Sequence, residues 1–177
     1  NVLASEFGPM KLVPSGVSIA DIGDDVDNTI AVIALVLGPA FVDTGWQTGV
    51  GECTGTNRHL TWIIQAAESG TNHPAVLEVD FADLGGTPFF AQYAYRSFDL
   101  GVLDPMAQGL TTPEGFTLGS SLDFFEEQYG GANFFDELRG LTNYSDTAVA
   151  GFEPGATDAE RLAWYIGAGD DGCADFG

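Results

Sequence analysis

The sequence predicts a mainly β domain, an antiparallel sandwich or jelly roll with two or three short helices, mostly in the C-terminal third. Three observations carry that expectation. Twenty-four glycines and eight prolines are spread along all 177 residues, which breaks the chain into short elements and disfavours long helices. Residues 76–81 place Leu77, Val79 and Phe81 on one side and Glu78 and Asp80 on the other, the period of a strand with one wet face. Thirteen Phe, five Tyr and three Trp within 45% apolar content supply a sizeable core, so collapse is favoured over disorder.

At the N-terminus, residues 1–8 read as an extended arm, because Gly8-Pro9 separates Val2-Leu-Ala-Ser-Glu-Phe7 from the body of the chain. Residues 9–177 form one β-rich domain, with no repeat or composition break to divide them. Ile30-Ala-Val-Ile-Ala-Leu-Val-Leu37 is short and continuously apolar, which predicts a strand buried on both faces. Residues 41–50 and 59–67 are further strands, the second also compatible with helical spacing through Leu60, Ile63, Ile64 and Ala67. Residues 76–81 and 89–98 flank Leu84-Gly-Gly-Thr-Pro88 and predict a hairpin.

Ser120-Ser-Leu-Asp123 has the layout of a helix N-cap and leads into Leu122, Phe125 and Tyr129, with Gly130-Gly131 as the stop. Residues 133–138 add another turn or two of helix, ended by Gly140. Residues 147–152 read as a strand. Thr157-Asp-Ala-Glu160 is a capping box, predicting a helix through Leu162, Tyr165 and Ile166 with Gly167 as its C-cap.

Charge bounds the partners. Twenty-six acids against five bases give a net charge of −21, with Lys11 the only lysine. Such a surface repels nucleic acid and anionic headgroups, whose recognition rests on Lys and Arg. No run reaches the ~18 apolar residues a membrane-spanning helix needs, so insertion is not expected. At molar salt the Debye length falls to roughly 3 Å and self-repulsion fades, which suits a halophilic, salt-adapted source. The chain opens at Asn1 rather than Met, which predicts removal of a secretory signal or propeptide and an extracellular, cell-surface or virion-surface location.

Cys53 and Cys173 form no CxxC, so a long-range disulfide is expected between them, stabilising by roughly 4 to 5 kcal/mol on the chain-entropy model. Asn143-Tyr144-Ser145 is a glycosylation sequon at Asn143.

Chemistry-bearing patterns are sparse. His59 and His73 sit in no zinc-ligand spacing, no G-x-S-x-G elbow exists, and the phosphate-loop pattern is absent. The densest polar cluster is Asp21, Asp24, Asp25, Asp27 and Asn28, oxygen donors of the kind calcium prefers, although the EF-hand order is lacking and Val32 stands where its bidentate Glu belongs. A solvated acidic turn is the plainer alternative. Three adjacent phenylalanine pairs, at 89–90, 124–125 and 134–135, place one ring of each towards the core and the other outwards.

Together with the arm, these rings predict a structural subunit of an extracellular self-assembling structure such as a filament, surface layer or virion shell. Its contacts with copies of itself would be made by Val2, Leu3, Phe7, Phe124 and Phe134, the arm adding a strand to a neighbour's sheet. The alternative is a secreted carbohydrate-binding module or glycoside hydrolase with glycans as partners, which requires Trp or Tyr faces beside carboxylates. No catalytic residue is assigned.

Overall fold

The computed structural model describes residues 2–3, 10–49, 55–65, 75–97, 109–136, 140–144 and 149–170. In chain order the elements are β1 (Val2–Leu3), β2 (Leu12–Val13), β3 (Gly16–Val17), β4 (Ala20–Asp21), α1 (Val26–Leu37), β5 (Val42–Asp43), β6 (Gln47–Thr48) and β7 (Thr56–Gln65). They continue with β8 (Ala75–Asp83), β9 (Phe89–Ser97), α2 (Leu122–Tyr129), β10 (Ala132–Asp136), β11 (Gly140–Tyr144), β12 (Val149–Phe152) and β13 (Ala163–Gly169).

The fold is mainly antiparallel β. A seven-strand spine runs β7-β8-β9-β13-β12-β11-β10, every neighbouring pair antiparallel. Along the outer edge of β7 lie three two-residue strands: β6 opposite Asn57 and Thr56, β5 opposite Thr61 and Leu60, and the parallel β1 opposite Ile64 and Gln65. A separate small sheet, β2-β3-β4, packs over β9.

One face of the spine is the core face, because alternation sends Leu60, Trp62 and Ile64 of β7 and Leu77, Val79 and Phe81 of β8 to the same side. Onto it pack Val26, Ile33 and Leu37 of α1, Leu12 and Val17 of the small sheet, and Leu122 and Phe125 of α2. Phe116, Phe125 and Phe152 form a triangle of rings, Phe116 lying 5.1 and 6.3 Å from the other two and edge-on to both.

The β8–β9 hairpin forms as expected, its turn held by the Asp83 carboxylate accepting from the backbone N–H of Gly85 and Gly86 at 2.9 and 3.2 Å. Of the predicted strand at 59–67, residues 59–65 lie within β7, and 66 and 67 fall outside the described residues. The predicted strand at 41–50 is reduced to the two short pieces β5 and β6.

Four local expectations are corrected. The apolar run 30–37 is not a buried strand but the body of α1, in the first third of the chain. Asp25 caps it, and Val26, Thr29, Ile33 and Leu37 form a buried stripe at helical spacing. The outward face of that helix is also apolar, so the period is hidden in the letters. Residues 133–138 are not helical where described: β10 pairs residue for residue with β11, since Gly130-Gly131 ends α2 and Asn133-Phe-Phe135 suits a pleated surface.

The capping box at 157–160 forms without its helix. Glu160 accepts from the N–H groups of Ala156 and Thr157, both at 3.1 Å, yet Ala163–Gly169 leaves as the strand β13, because Trp164, Tyr165 and Ile166 gain more by pairing between β9 and β12. Finally, the cap of α2 is Ser121 rather than Ser120, its hydroxyl accepting from Phe124 N–H at 3.3 Å while Ser120 Oγ accepts from Thr117 N–H.

Candidate functional site

The acidic run is spent on local structure. Asp24 accepts the Asp21 backbone N–H at 2.9 Å, Asp21 accepts the Ser15 hydroxyl at 2.9 Å, and Asp25 accepts Asn28 N–H at 3.0 Å as the cap of α1. Asp27 lies in the first turn of that helix, where its charge complements the dipole. No three of these carboxylates converge. Among the described residues, the acids whose ligand atoms fall within 4.8 Å of one another are Asp123, Glu126 and Asp158. Two of those are already engaged, Glu126 by Asn133 Nδ2 at 2.7 Å and Asp158 by Arg161.

The expected contact residues are distributed differently from the arm-and-phenylalanine set. Val2 and Leu3 pair with Ile64 and Gln65 of their own chain, so the arm's strand position is filled in cis. Phe124 is half-buried and packs on the core, its ring 6.0 Å from Phe116 and nearly parallel to it. Phe134 lies in β10 opposite Thr142, and Asn143 in β11 opposite Asn133 and Ala150. Phe7, Cys53, Cys173 and His73 lie outside the described residues.

Among the side chains whose burial is described, the large exposed apolar ones are elsewhere. Leu35 is 85% exposed, Phe41 69%, Leu84 58% and Trp46 41%, with Val42 similar to Trp46. Phe41, Val42 and Trp46 share the connection that follows α1 and borders β7, and Leu84 occupies the neighbouring β8–β9 turn, across the Thr56–Asp83 pairing. This strip is rigidly mounted. Phe41 N–H donates to Thr61 O at 2.8 Å, Thr44 and His59 exchange two bonds at 3.0 Å, and Arg58 grips Asp43 through two nitrogens at 2.9 and 2.6 Å. The Arg58 hydrogen bonds hold Asp43 at about 2, so this clamp stays ionised through any physiological pH. Reasoning from the paired phenylalanines missed the strip, and the available signal was Phe41 and Trp46 standing alone in a stretch broken by Gly38-Pro39 and Gly45.

On the other face of the spine lies a polar network. His59 Nδ1 is 2.6 Å from Asp80 Oδ1 and its Nε2 3.1 Å from Thr61 Oγ1. Gln92 Nε2 donates to Asp80 Oδ2 at 3.0 Å, and Arg96 donates to both oxygens of Glu78 at 2.7 Å. The Asp80 hydrogen bond is the main reason the imidazole is more basic than usual, with burial opposing it and the charges of Asp80 and Glu78 adding to it. The order Asp80, His59, Thr61 has the connectivity of an orienter, a base and a hydroxyl. Thr61, however, sits mid-strand between β5 and β8, and this set serves as a cross-strand tie.

No protein-family model, curated protein or solved structure matches this chain. The surface and the sheet alone therefore carry the functional reading. Among the described residues, no helix is long and apolar enough to cross a membrane.

Proposed function

We propose that this chain is a structural subunit of an extracellular self-assembling structure, in which copies associate through the apolar strip of Phe41, Val42, Trp46 and Leu84. The observation that carries this is the exposure of those side chains, Phe41 at 69%, on a chain with a net charge of −21. Rings held outward by hydrogen-bonded backbone on so charged a surface are worth burying against a partner, since each ring removes roughly 1.5 to 3 kcal/mol of apolar exposure. The strip also borders the slot filled by Val2 and Leu3, so exchange of arms between copies would place a neighbour's strand beside the same rings.

Molar salt or millimolar calcium has a defined part in this proposal: counter-ions screen the acidic surfaces as they approach, acting diffusely rather than through a ligand cage at Asp21 to Asn28. In this proposal the small sheet β2-β3-β4, packed against β9, stands as the second layer of the sandwich expected from the sequence. Light scattering with multi-angle detection from ~0.1 to 3 M salt tests the idea. Wild type should grow into large particles as salt rises, and the Phe41→Ser/Trp46→Ser double variant should stay monomeric. A wild-type monomer throughout, or equal growth of both proteins, would sink it.

A further inference from the structure

A cavity of ≈ 310 Å³ opens between the small sheet, the turn at 112–116 and the end of α2. Its walls are Leu12, Pro14 and Pro113 together with the Tyr93 and Tyr129 side chains. Its polar edge is Glu114, Thr112 and the Val13 backbone.

Phe116 N–H donates to Thr112 Oγ1 at 3.1 Å, so that oxygen is already an acceptor. Tyr129 Oη lies 2.6 Å from both Thr112 Oγ1 and Glu114 Oε2. A carboxylate cannot donate, so the Tyr129 proton goes to Glu114. Phe116 N–H, Thr112, Tyr129 and Glu114 thus form one connected chain of contacts ending in negative charge. The Tyr129–Glu114 contact, with Tyr129 first among its causes, holds the Glu114 carboxyl below its ordinary range, while burial and Glu114 push the phenol up to about 12.

Val13 O accepts the Tyr93 hydroxyl at 3.0 Å besides its rung to Gly16 in the β2–β3 hairpin, so its lone pairs are taken. Among the described residues, Gln128 supplies the one side-chain amide on the lining. Lys11, two residues before Val13, gives its ammonium to Thr111 Oγ1 at 3.0 Å and does not line the cavity. The cavity therefore offers aliphatic and aromatic walls and an edge of lone pairs around a fixed carboxylate, inside a field that concentrates cations.

We propose that this cavity binds a small organic cation, a primary or substituted ammonium on an apolar body, with Glu114 as its counter-ion. The ammonium donates to the Glu114 carboxylate, and the apolar body lies along Pro113 and the tyrosine faces. A sugar fits less well, because most of the wall is apolar and the exposed Gln128 amide is the one side-chain donor on it besides the hydroxyls.

Titration calorimetry on the full chain at about 0.15 M salt tests this. The probes are benzylammonium chloride, benzyl alcohol of nearly the same shape, and methyl β-glucoside. Benzylammonium should bind at one site at least about tenfold tighter than benzyl alcohol, the size expected of a charge-assisted hydrogen bond. Glu114→Gln, an exposed change that leaves the fold intact, should erase that preference, while Asp27→Asn on α1 should leave it alone. Equal binding of the alcohol, affinity unchanged by Glu114→Gln, a preference for the glucoside, or no benzylammonium binding by roughly 10 mM would each overturn the proposal.

Discussion

Replacing Arg96 by methionine tests how much of the sheet's strength lies in the polar network on its second face. The Glu78 carboxylate is 12% exposed and the Arg96 side chain 26%, and two nitrogens meet two oxygens at 2.7 Å. Exposed pairs contribute about 0 to 1 kcal/mol, whereas orphaning a fully buried charge costs about 3 to 5 kcal/mol. This pair lies between those limits, so Arg96→Met should cost about 2 kcal/mol. The nearest substitute cation is His59, whose Nε2 is 3.8 Å from Glu78 Oε1, too far to replace a bidentate guanidinium. For a chain of 177 residues this cost lowers Tm by about 5 °C. Urea unfolding followed by circular dichroism gives the free energy directly, with an unchanged m value showing that the unfolded state is the same. Glu78→Leu combined with Arg96→Met should recover at least half the loss, because no charge is then left without its partner. A single-variant loss below about 0.5 kcal/mol, or a double variant no better than the single, would refute the assignment of Glu78 as a desolvated charge held by Arg96.

Two further predictions concern protons and caps. The folded-state pKa of His59 is raised above its ordinary value of 6.5. Its contribution is therefore fully present below that value and is lost as pH rises through the folded value, so the urea midpoint should fall as pH rises above about 6.5 and His59→Gln should flatten that slope. Identical slopes in the two proteins would count against the Asp80–His59 tie. Asp25→Ala should cost about 1 kcal/mol through loss of the α1 cap, by the same amount with and without millimolar calcium; a loss that appears only with calcium would restore the cation-cage view of the acidic run.

What the letters made legible was the alternating part of the fold. Leu77, Val79 and Phe81 against Glu78 and Asp80 declared β8 directly, since one of its faces is wholly apolar and the other carries charge. Where both faces are apolar, as in α1, period cannot be read, and the Asp25 cap was the better guide than the run it introduces. At 157–166 a true local signal was overruled: the Glu160 hydrogen bonds exist, but the partners that decide the next residues, β9 and β12, are distant in sequence. The Tyr129 contact chain joins Thr112, Glu114 and a residue of α2, separations no motif spans, and the arm's pairing with β7 is equally non-local.

The segmented rim of β7 bears on how this chain can change over generations. One long edge strand would tie ten residues to a single register, and any insertion would shift all of them. Here β6, β5 and β1 each contribute two rungs from separate stretches of sequence. A lengthened turn between β5 and β6, or a different arm, alters one segment and leaves the other two in register. The rim that carries the exposed Phe41, Val42 and Trp46 is thus the part of the molecule freest to diverge, while the seven-strand spine beneath it is held to its alternation.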